Sequence, residues 1–452
     1  MSTALIVLAA GQGTRMNSDL PKVLHPLGGV PLMVHAMAAG DAVEPDKVVV
    51  IAGHGADAVK AAVLDYNPDA IILRQAEQLG TGHAVLQAAE ALADFDGDVI
   101  VVFGDTPFVR PETIAKMQAA RATGSDVVML GFDAADPGRY GRMVLGDDGL
   151  ERIVEAKDAS ADELAITLCN SGLVAADAQT LFGLLRGIGN DNASGEYYLT
   201  DIVAAARAAG RSASVVTCDK AETLGINTRA ELAQAEGLFQ AAKRAEALES
   251  GVTMAAPDTV FFGFDTYIGR DAVIEPNVVF GPAVTVESGA TIRAFSHLEG
   301  CHVSRGAIVG PYARLRPGAE LSENTKVGNF VEVKNATLHE GAKVNHLSYI
   351  GDASIGARTN VGAGTITCNY DGFMKHHTEV GEGAFIGSNT MLVAPVKIGN
   401  EAMTATGSVI NKNVPDGALA LARARQETKP GMALKLFDKL KKTKARRAKE
   451  AK

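Results

Sequence analysis

The chain of 452 residues has no tryptophan, few aromatic residues and only four cysteines. Cys169, Cys218, Cys301 and Cys368 stand far apart and form no CxxC pair. This spacing argues against a zinc site and against a disulfide framework. Free thiols are typical of a reducing compartment, so the sequence predicts a cytoplasmic protein.

Long hydrophobic runs are also missing. The apolar run at residues 4–10 is too short to span a bilayer, and no basic residue precedes it. We interpret it as a buried first strand rather than a signal peptide, and we expect no membrane partner.

The net charge of −10 hides a basic segment at residues 433–452, which holds nine lysines or arginines and two acids. Because aromatic residues are not interleaved with these charges, we do not expect a nucleic-acid partner. We interpret the segment as a solvated, frayed terminus.

Up to about residue 230, short apolar runs alternate with helical patterns. The runs at 4–10, 47–53, 70–75 and 98–105 are typical of strands buried on both faces, and residues 82–94 have the length of a crossover helix. This alternation predicts a mostly parallel α/β sheet. Ligands of such sheets bind beyond the carboxyl ends of the strands.

A helical run from Thr228 to Ser250 predicts a connecting arm, and beyond it the hydrophobic period changes to six. Ile268, Ile274 and Phe280 begin a series that continues to Ile398. Six residues are three strand repeats of two, so one face stays inward. Three hexapeptides per coil predict a prism-shaped parallel β-helix of about eight coils. The period fails across residues 367–378, which predicts a loop that leaves the coil.

The segment LAAGQGTRM at 8–16 follows the first strand directly. It has Met16 where a dinucleotide fingerprint needs a third glycine, and it lacks the GK[ST] of a P-loop. A glycine loop followed by Arg15 and Lys22 suits a triphosphate.

Further motifs give a specific resemblance. LAAG-x-GTRM, SDLPKVLHPL at 18–27, QLGTGHA at 78–84 and FGD at 103–105 resemble the sugar-1-phosphate nucleotidyltransferases. RLRPGAEL at 314–321, VGNFVEVKNA at 327–336, HLSYIGDASIG at 346–356 and NVGAGTITCNYDG at 360–372 resemble one family among them. That family is the bifunctional N-acetylglucosamine-1-phosphate uridyltransferase and glucosamine-1-phosphate N-acetyltransferase. The resemblance covers nearly the whole chain except the basic segment.

The resemblance implies a Rossmann-like nucleotidyltransferase domain followed by a left-handed β-helix. It implies four parts: a uridyltransferase domain (1–230), a helical linker (231–251), an acetyltransferase domain (252–432) and the basic tail (433–452). The substrates would be UTP, glucosamine-1-phosphate and acetyl-CoA, with Mg²⁺ as cofactor. The assembly would be a homotrimer.

The resemblance also assigns residues of the uridyltransferase site. Asp105 and Asn227 would bind Mg²⁺, while Arg15 and Lys22 would act on the phosphates. Gln12 stands where the family often has Lys. The residues implied to bind UDP-N-acetylglucosamine are Leu8, Ala9, Ala10, Gly11, Lys22, Gln75, Gly80, Thr81, Gly141, Glu155, Asn170 and Asn227.

In the acetyltransferase site, His346 would be the base that takes a proton from the glucosamine nitrogen. The implied sugar-phosphate ligands are Arg316, Lys334, Tyr349 and Asn360. The implied acetyl-CoA contacts are Ala363, Asn369, Tyr370, Ser388, Thr406 and Arg423, with Thr406 standing where the family often has Ala.

Two alternatives stay open from the sequence. The β-helix could be regulatory or oligomerising in a nucleotidyltransferase with one activity, or the chain could be a scaffold that keeps both folds without chemistry. Asp105, Lys22 and Asn227 argue against the scaffold. His346 beside Tyr349, with the loop at 367–378, argues against a merely regulatory β-helix.

Overall fold

The structure, a computed structural model, describes residues 2–450 and contains two compact units. The first is built on a nine-stranded sheet whose main path runs β11-β7-β10-β6-β1-β4-β5, with β8 and β9 attached at β10. β1 pairs in parallel with β4 and β6, whereas β10 is antiparallel to both of its neighbours. The mostly parallel α/β sheet is thus confirmed. The strands are β1 (Thr3–Ala9), β2 (Pro26–Leu27), β3 (Val30–Pro31), β4 (Lys47–Ala52), β5 (Ile71–Arg74), β6 (Asp98–Phe103), β7 (Val127–Asp133), β8 (Arg142–Gly146), β9 (Gly149–Val154), β10 (Leu168–Asp177) and β11 (Ala213–Thr217).

Helices cover both faces of this sheet. The buried side chains of β1 alternate between two apolar clusters, with Leu8 in one and Ala9 in the other, so the sheet has a core on each side. The helices of the first unit are α1 (Leu32–Gly40), α2 (Ala56–Tyr66), α3 (Thr81–Leu86), α4 (Pro111–Ala122), α5 (Ala161–Leu164), α6 (Ala178–Leu185), α7 (Ile202–Ala208) and α8 (Arg229–Glu249).

The helix predicted over residues 82–94 is shorter in the structure. α3 ends at Leu86, and the chain continues in turns in which the amides of Gln87, Ala88 and Ala89 each bond the carbonyl three residues earlier. These tighter turns still bury Ala88 and Leu92 completely. The apolar positions therefore reach the core without a continuous α-helix.

Helix α8 packs within the first unit. Ala235 and Phe239 join a buried cluster with Leu27, Leu32 and Ile226. The first unit extends to Glu249 and includes the segments Phe261–Thr266 and Phe280–Ala283. The division into independently folding parts at residues 230 and 251 stays a prediction.

The second unit is a prism with three faces of parallel strands. One face is a ten-stranded sheet. The other two faces belong to one fourteen-stranded sheet, because β24 and β26 each continue around a corner and pair with strands of both faces. Together with the hexapeptide period, this is the predicted left-handed parallel β-helix. The strands are β12 (Thr253–Met254), β13 (Tyr267–Ile268), β14 (Val273–Ile274), β15 (Val279–Phe280), β16 (Val284–Val286), β17 (Thr291–Ile292), β18 (His297–Leu298), β19 (Cys301–Val303), β20 (Ile308–Val309), β21 (Arg314–Leu315), β22 (Ala319–Leu321), β23 (Lys326–Asn329), β24 (Glu332–Leu338), β25 (Lys343–His346), β26 (Tyr349–Ile355), β27 (Asn360–Val361), β28 (Ile366–Cys368), β29 (Thr378–Val380), β30 (Phe385–Ile386), β31 (Met391–Val393), β32 (Val396–Ile398), β33 (Met403–Thr404), β34 (Val409–Ile410) and β35 (Leu419–Ala420).

The register shows how six-residue spacing fills the prism. Ile274 pairs with Ile292, and Ile292 pairs with Val309 one coil further on. Hydrogen bonds between adjacent coils join residues 17 or 18 positions apart, but Ala384 bonds Thr359 across 25 positions. The longer coil contains the predicted loop, which includes an antiparallel bridge between Tyr370 and Lys375.

The basic segment differs from its prediction. Helix α9 covers Met432–Glu450, so the tail is helical rather than frayed over the residues that the structure describes, and residues 451–452 lie outside them. Within residues 2–450, no helix is both long and apolar enough to cross a membrane.

Candidate active sites

Three side chains from distant parts of the first unit meet at the carboxyl end of β6. The ammonium of Lys22 forms an ion pair with Asp105 and lies 2.9 Å from Oδ1 of Asn227. The side chains of Lys22 and Asp105 are mostly buried, at 12% and 21% exposure. Charges so poorly solvated interact more strongly than on the open surface.

Local hydrogen bonds hold these three residues in place. The carboxylate of Glu231 accepts the amides of Asn227 and Thr228, while Oγ1 of Thr228 accepts the amide of Glu231. This capping box begins α8 and fixes Asn227 just before it. The amide of Ile226 donates to the carbonyl of Asp105 at 3.0 Å, which ties the two loops together.

Gly13 allows the glycine loop to approach Lys22. Its φ is 63°, and a Cβ atom there would lie 2.5 Å from Cβ of Lys22. Any larger residue would push Lys22 away from Asp105 and Asn227, in addition to the cost of a left-handed backbone.

The oxygens of Asp105 and Asn227 are suited to a divalent cation. Both already contact one positive charge, the Lys22 ammonium, so they converge on a point where a cation is accommodated. Among residues 2–450 there is no cluster of three or more acidic, histidine or cysteine ligands. Mg²⁺ typically takes one or two protein oxygens and completes its shell with phosphate and water. The donor set therefore fits Mg²⁺ bound together with a phosphate substrate.

A cavity of about 260 Å³ lies beside this cluster. Gln75 is buried at its wall, where Nε2 donates to the carbonyl of Gly80 and lies 3.0 Å from Nδ1 of His83. Nε2 of Gln78 donates to the carbonyl of Ala10 at 2.7 Å, which joins the two loops around the cavity. Sequence reasoning missed Gln78, although it lies in the QLGTGHA motif. The predicted residues that line this cavity are Leu8, Ala10, Gly11, Lys22, Gln75, Gly80, Thr81 and Asp105.

Two predicted residues take other positions. Ala9 points to the opposite face of β1, as strand alternation requires. Arg15 is exposed on the 3₁₀ turn Thr14–Met16 and does not line the cavity.

An adjoining cavity of about 630 Å³ contains the predicted sugar ligands. A register shift in β10 between Asn170 and Val174 turns this strand at the cavity wall. The two cavities share Thr81, Phe103 and Glu196, so they form one continuous space. The predicted residues lining the larger cavity are Thr81, Gly141, Glu155 and Asn170.

Besides Glu196, the acid that lines the larger cavity is Glu155. Burial raises the pKa of its carboxyl, and nearby Asp158 and Asp201 act in the same direction. A hydrogen bond from Thr200 opposes the shift only in part. Sequence reasoning missed Thr200, Tyr198 and Arg139, because Thr200 lies in the short 3₁₀ helix Leu199–Asp201, the other two lie in loops, and no sequence pattern distinguishes them.

In the second unit, three cations form what we term the cation cluster: Arg316, Lys334 and Lys375. The first two lie on adjacent coils, since the neighbouring pair Leu315 and Val333 is in register. The adjacent ammonium of Lys375, together with the charge of Arg316, lowers the pKa of Lys334. Glu332 accepts a 2.8 Å hydrogen bond from Arg316 and raises its pKa. Each of these cations disfavours the charged form of the others. A bound anion would offset this repulsion, so the cluster is suited to binding an anion.

Asp352 lies beside the cation cluster. Burial alone would raise its pKa, but hydrogen bonds from Asn335 and Asn369 and the charges of Lys375 and Lys334 outweigh burial and lower it. Nδ2 of Asn369 also lies 3.5 Å from the hydroxyl of Tyr349. The structure thus brings Arg316, Lys334, Tyr349 and Asn369 together.

His346 lies on an exposed edge of the prism. Its Nδ1 is 2.6 Å from Oδ1 of Asn329, its partner in the β23–β25 register. An amide oxygen can only accept, so Nδ1 carries the proton and Nε2 is free to take one. Asn329, which sequence reasoning missed, therefore sets the tautomer of His346.

Most of the predicted acetyl-CoA residues follow His346 along the same edge, which we term the active edge. The backbone amide of Gly364 donates to the carbonyl of His346. One coil further on, the backbone amide of Asn389 donates to the carbonyl of Ala363. The amide of Gly407, next to Thr406, then bonds Ser388. A Cβ on Gly407 would lie 4.0 Å from Cδ of Arg423, which places Arg423 at the end of the row. Asn360 lies on β27 of the same coil as Ala363, and Tyr370 is exposed on the loop.

Comparisons with known proteins give matches in both units of the chain. Residues 5–162 match the MobA-like NTP transferase domain family, and residues 377–412 match the bacterial transferase hexapeptide (six repeats). The chain is 64% identical to the "Bifunctional protein GlmU" of Jannaschia sp. (strain CCS1) over 99% of this chain and 98% of that protein. It is 66% identical to the protein of that name from Ruegeria sp. (strain TM1040), over 99% of this chain and 100% of that protein. It is 67% identical to the protein of that name from Dinoroseobacter shibae, over 97% of this chain and 98% of that protein.

Proposed function

Since the chain belongs to the bifunctional GlmU family, we propose that it makes UDP-N-acetylglucosamine in two steps. It first transfers the acetyl group of acetyl-CoA to glucosamine-1-phosphate. It then transfers UMP from UTP to N-acetylglucosamine-1-phosphate and releases pyrophosphate. The observation that carries this proposal is that each unit brings together its own set of polar and charged side chains, Lys22, Asp105 and Asn227 in the first and Arg316, Lys334 and Tyr349 in the second.

Uridylyl transfer uses the first unit. A phosphate oxygen of the sugar attacks the α-phosphorus of UTP, and the bond to the β-phosphate breaks. The nucleophile is already an anion, so the site needs no protein base, and its residues position and neutralise the reactants. We assign the smaller cavity to the nucleotide and the larger one to the amino sugar. Mg²⁺, held by Asp105 and Asn227, would neutralise charge on the phosphates.

Lys22 has a second role in this assignment. It contacts both oxygens that would hold Mg²⁺, so its ammonium would be free to contact the phosphates when those oxygens hold the metal. The mobile Lys22 ammonium and the Mg²⁺ held by Asp105 and Asn227 would then share the negative charge of the triphosphate. Arg15, exposed at the rim, contributes charge for the outer phosphates.

Acetyl transfer uses the active edge and the cation cluster. Arg316, Lys334 and Lys375 bind the phosphate of glucosamine-1-phosphate. Nε2 of His346 takes a proton from the sugar ammonium, and the free amine attacks the thioester carbonyl. The carbon–sulfur bond breaks, the further proton that the nitrogen loses on forming the amide passes to the sulfur, and coenzyme A leaves as the thiol.

The acetyl site is open to solvent, and we propose that a homotrimer closes it. Phe295, Tyr312 and Phe330 form an aromatic ladder of exposed rings, 4.9 and 5.3 Å apart, which Leu347 extends. All four residues have φ between 52° and 60°, a strained conformation for bulky side chains. Because Phe330 and Leu347 directly follow Asn329 and His346, the ladder is continuous with the active edge. Such a surface suits burial against another copy.

One experiment tests the two-step proposal. The protein is mixed with Mg²⁺, UTP, acetyl-CoA and glucosamine-1-phosphate, and the products are identified by mass. UDP-N-acetylglucosamine is expected. UMP transfer to supplied N-acetylglucosamine-1-phosphate without any acetylation would instead support a regulatory β-helix, and no turnover would support the scaffold.

A further inference from the structure

Helix α9 has no buried residue and exposes its apolar side chains. All of its residues are exposed except Thr443, which is half-buried. Leu434 is 75% exposed and Phe437 is 60% exposed, and Met432, Leu436 and Leu440 are similar. Five large apolar side chains in three turns are costly to leave in water.

The helix is amphipathic. At 100° per residue, Met432, Leu436, Leu440 and Phe437 fall in one arc, which we term the apolar arc. The opposite side carries a row of cations at helical spacing, namely Lys435, Lys439, Lys442, Arg446 and Lys449. The last two turns are basic on nearly every side.

The cations of α9 are mostly unneutralised. The helix has two acids, and both pair within it: Asp438 with Lys442 and Glu450 with Arg446. No acidic side chain in the described part of the chain lies within ion-pair distance of the other six cations. Although the whole chain carries a net charge of −10, α9 holds eight lysines or arginines and two acids, so its surface is strongly positive.

We propose that α9 lies flat on an anionic lipid surface. An amphipathic helix with leucine and phenylalanine on one side and lysine and arginine on the other is typical of interfacial binding. Its apolar arc enters the acyl boundary, and its cations contact the lipid phosphates. The helix is about 28 Å long, which suits a helix lying in the plane of the surface. This proposal differs from the expectation of no membrane partner, and it involves surface binding, since no helix within residues 2–450 is long and apolar enough to cross a bilayer.

Two other occupants fit the helix less well. A nucleic acid would bind the cations but leave the apolar arc in water. A second copy of α9 could cover the apolar arc, but it would bring two strongly basic helices together and repel. Anionic lipid satisfies both sides of the helix at once.

Flotation of the full-length protein with lipid vesicles tests this proposal. We expect binding to vesicles of phosphatidylglycerol and phosphatidylcholine in equal amounts, weakening at high salt, and little binding to phosphatidylcholine alone. The pair Leu436→Ser and Leu440→Ser should lower the partition coefficient about a hundredfold by removing apolar burial. The set Lys439→Gln, Lys442→Gln and Arg446→Gln should lower it by about the same factor.

The matched control is Ala445→Ser with Ala448→Ser, which leaves both the apolar arc and the charge unchanged and should bind as the wild type does. Uridylyl and acetyl transfer in solution should be unchanged in every variant, which verifies folding. Failure of the wild type to float with the anionic vesicles would overturn the proposal. So would binding that survives the two leucine substitutions, or retention by duplex DNA in place of vesicles.

Discussion

The two proposed active sites differ in how much of the site one chain encloses. Lys22 and Asp105 are mostly buried beside two joined cavities, a capping box holds Asn227, and a loop hydrogen bond joins Ile226 to Asp105. His346 and Asn329 instead lie on an open edge, next to exposed aromatic rings. A folded α/β sheet can surround its ligand, whereas a convex prism cannot. Acetyl transfer should therefore depend on assembly, and uridylyl transfer should not.

Asp105→Ala should have the largest effect and should separate the two sites. Loss of a metal ligand and of the Lys22 partner removes electrostatic stabilisation, so uridylyl-transfer kcat should fall about a thousandfold. Acetylation should be unchanged, because its residues lie in the other unit. Steady-state assays of each half-reaction measure this, with the exposed Asp94→Ala as control. If both activities fell in a folded variant, the two sites would not be separate.

His346→Ala should lower acetylation kcat about a hundredfold, the usual contribution of a general base. The KM for acetyl-CoA should change little, and uridylyl transfer should not change. Raising the pH should partly restore the variant, because more glucosamine-1-phosphate is then the free amine. A variant within threefold of wild type at neutral pH would leave Tyr349 or a water molecule as the base.

Phe330→Asp tests the dependence on assembly. A carboxylate in the aromatic ladder should dissociate the trimer and lower acetylation about tenfold or more, since buried unpaired charge is costly. Uridylyl transfer should stay at the wild-type rate. Light scattering and both assays measure this, with Tyr267→Asp, an exposed aromatic residue off the ladder, as control. A monomer that acetylates normally would show that one chain completes the site.

Glu155→Gln should have the smallest effect. With the carboxylate as a sugar ligand, the substitution should raise the KM for N-acetylglucosamine-1-phosphate about fivefold at neutral pH. The raised pKa of Glu155 means that the carboxylate is lost at a higher pH than for an ordinary glutamate. In the wild type, KM should therefore rise as the pH falls through that raised pKa, and Glu155→Gln should lack this rise. Parallel KM–pH profiles for the two proteins would exclude Glu155 as the titrating group.

The sequence predicted periodic features well and local deviations poorly. The spacing from Ile268 to Ile398 predicted the prism because each inward position repeats one coil later. The β6 strand and FGD motif predicted where Asp105 lies. The end of α3 at Leu86 was not predicted, because alanine favours a helix and no glycine or proline in residues 87–94 marks an end. Asn329 was missed because its role depends on a neighbour 17 residues away, which the coil register alone brings close.

The capping box of α8 has a consequence for metal binding. Glu231 holds the amides of Asn227 and Thr228, so the first turn of a 21-residue helix and one proposed metal ligand form or open together. Mg²⁺ binding should then raise the hydrogen-exchange protection of these two amides. In return, a more stable first turn should raise the affinity for Mg²⁺. Substitutions that fray this turn would weaken metal binding without touching a ligand.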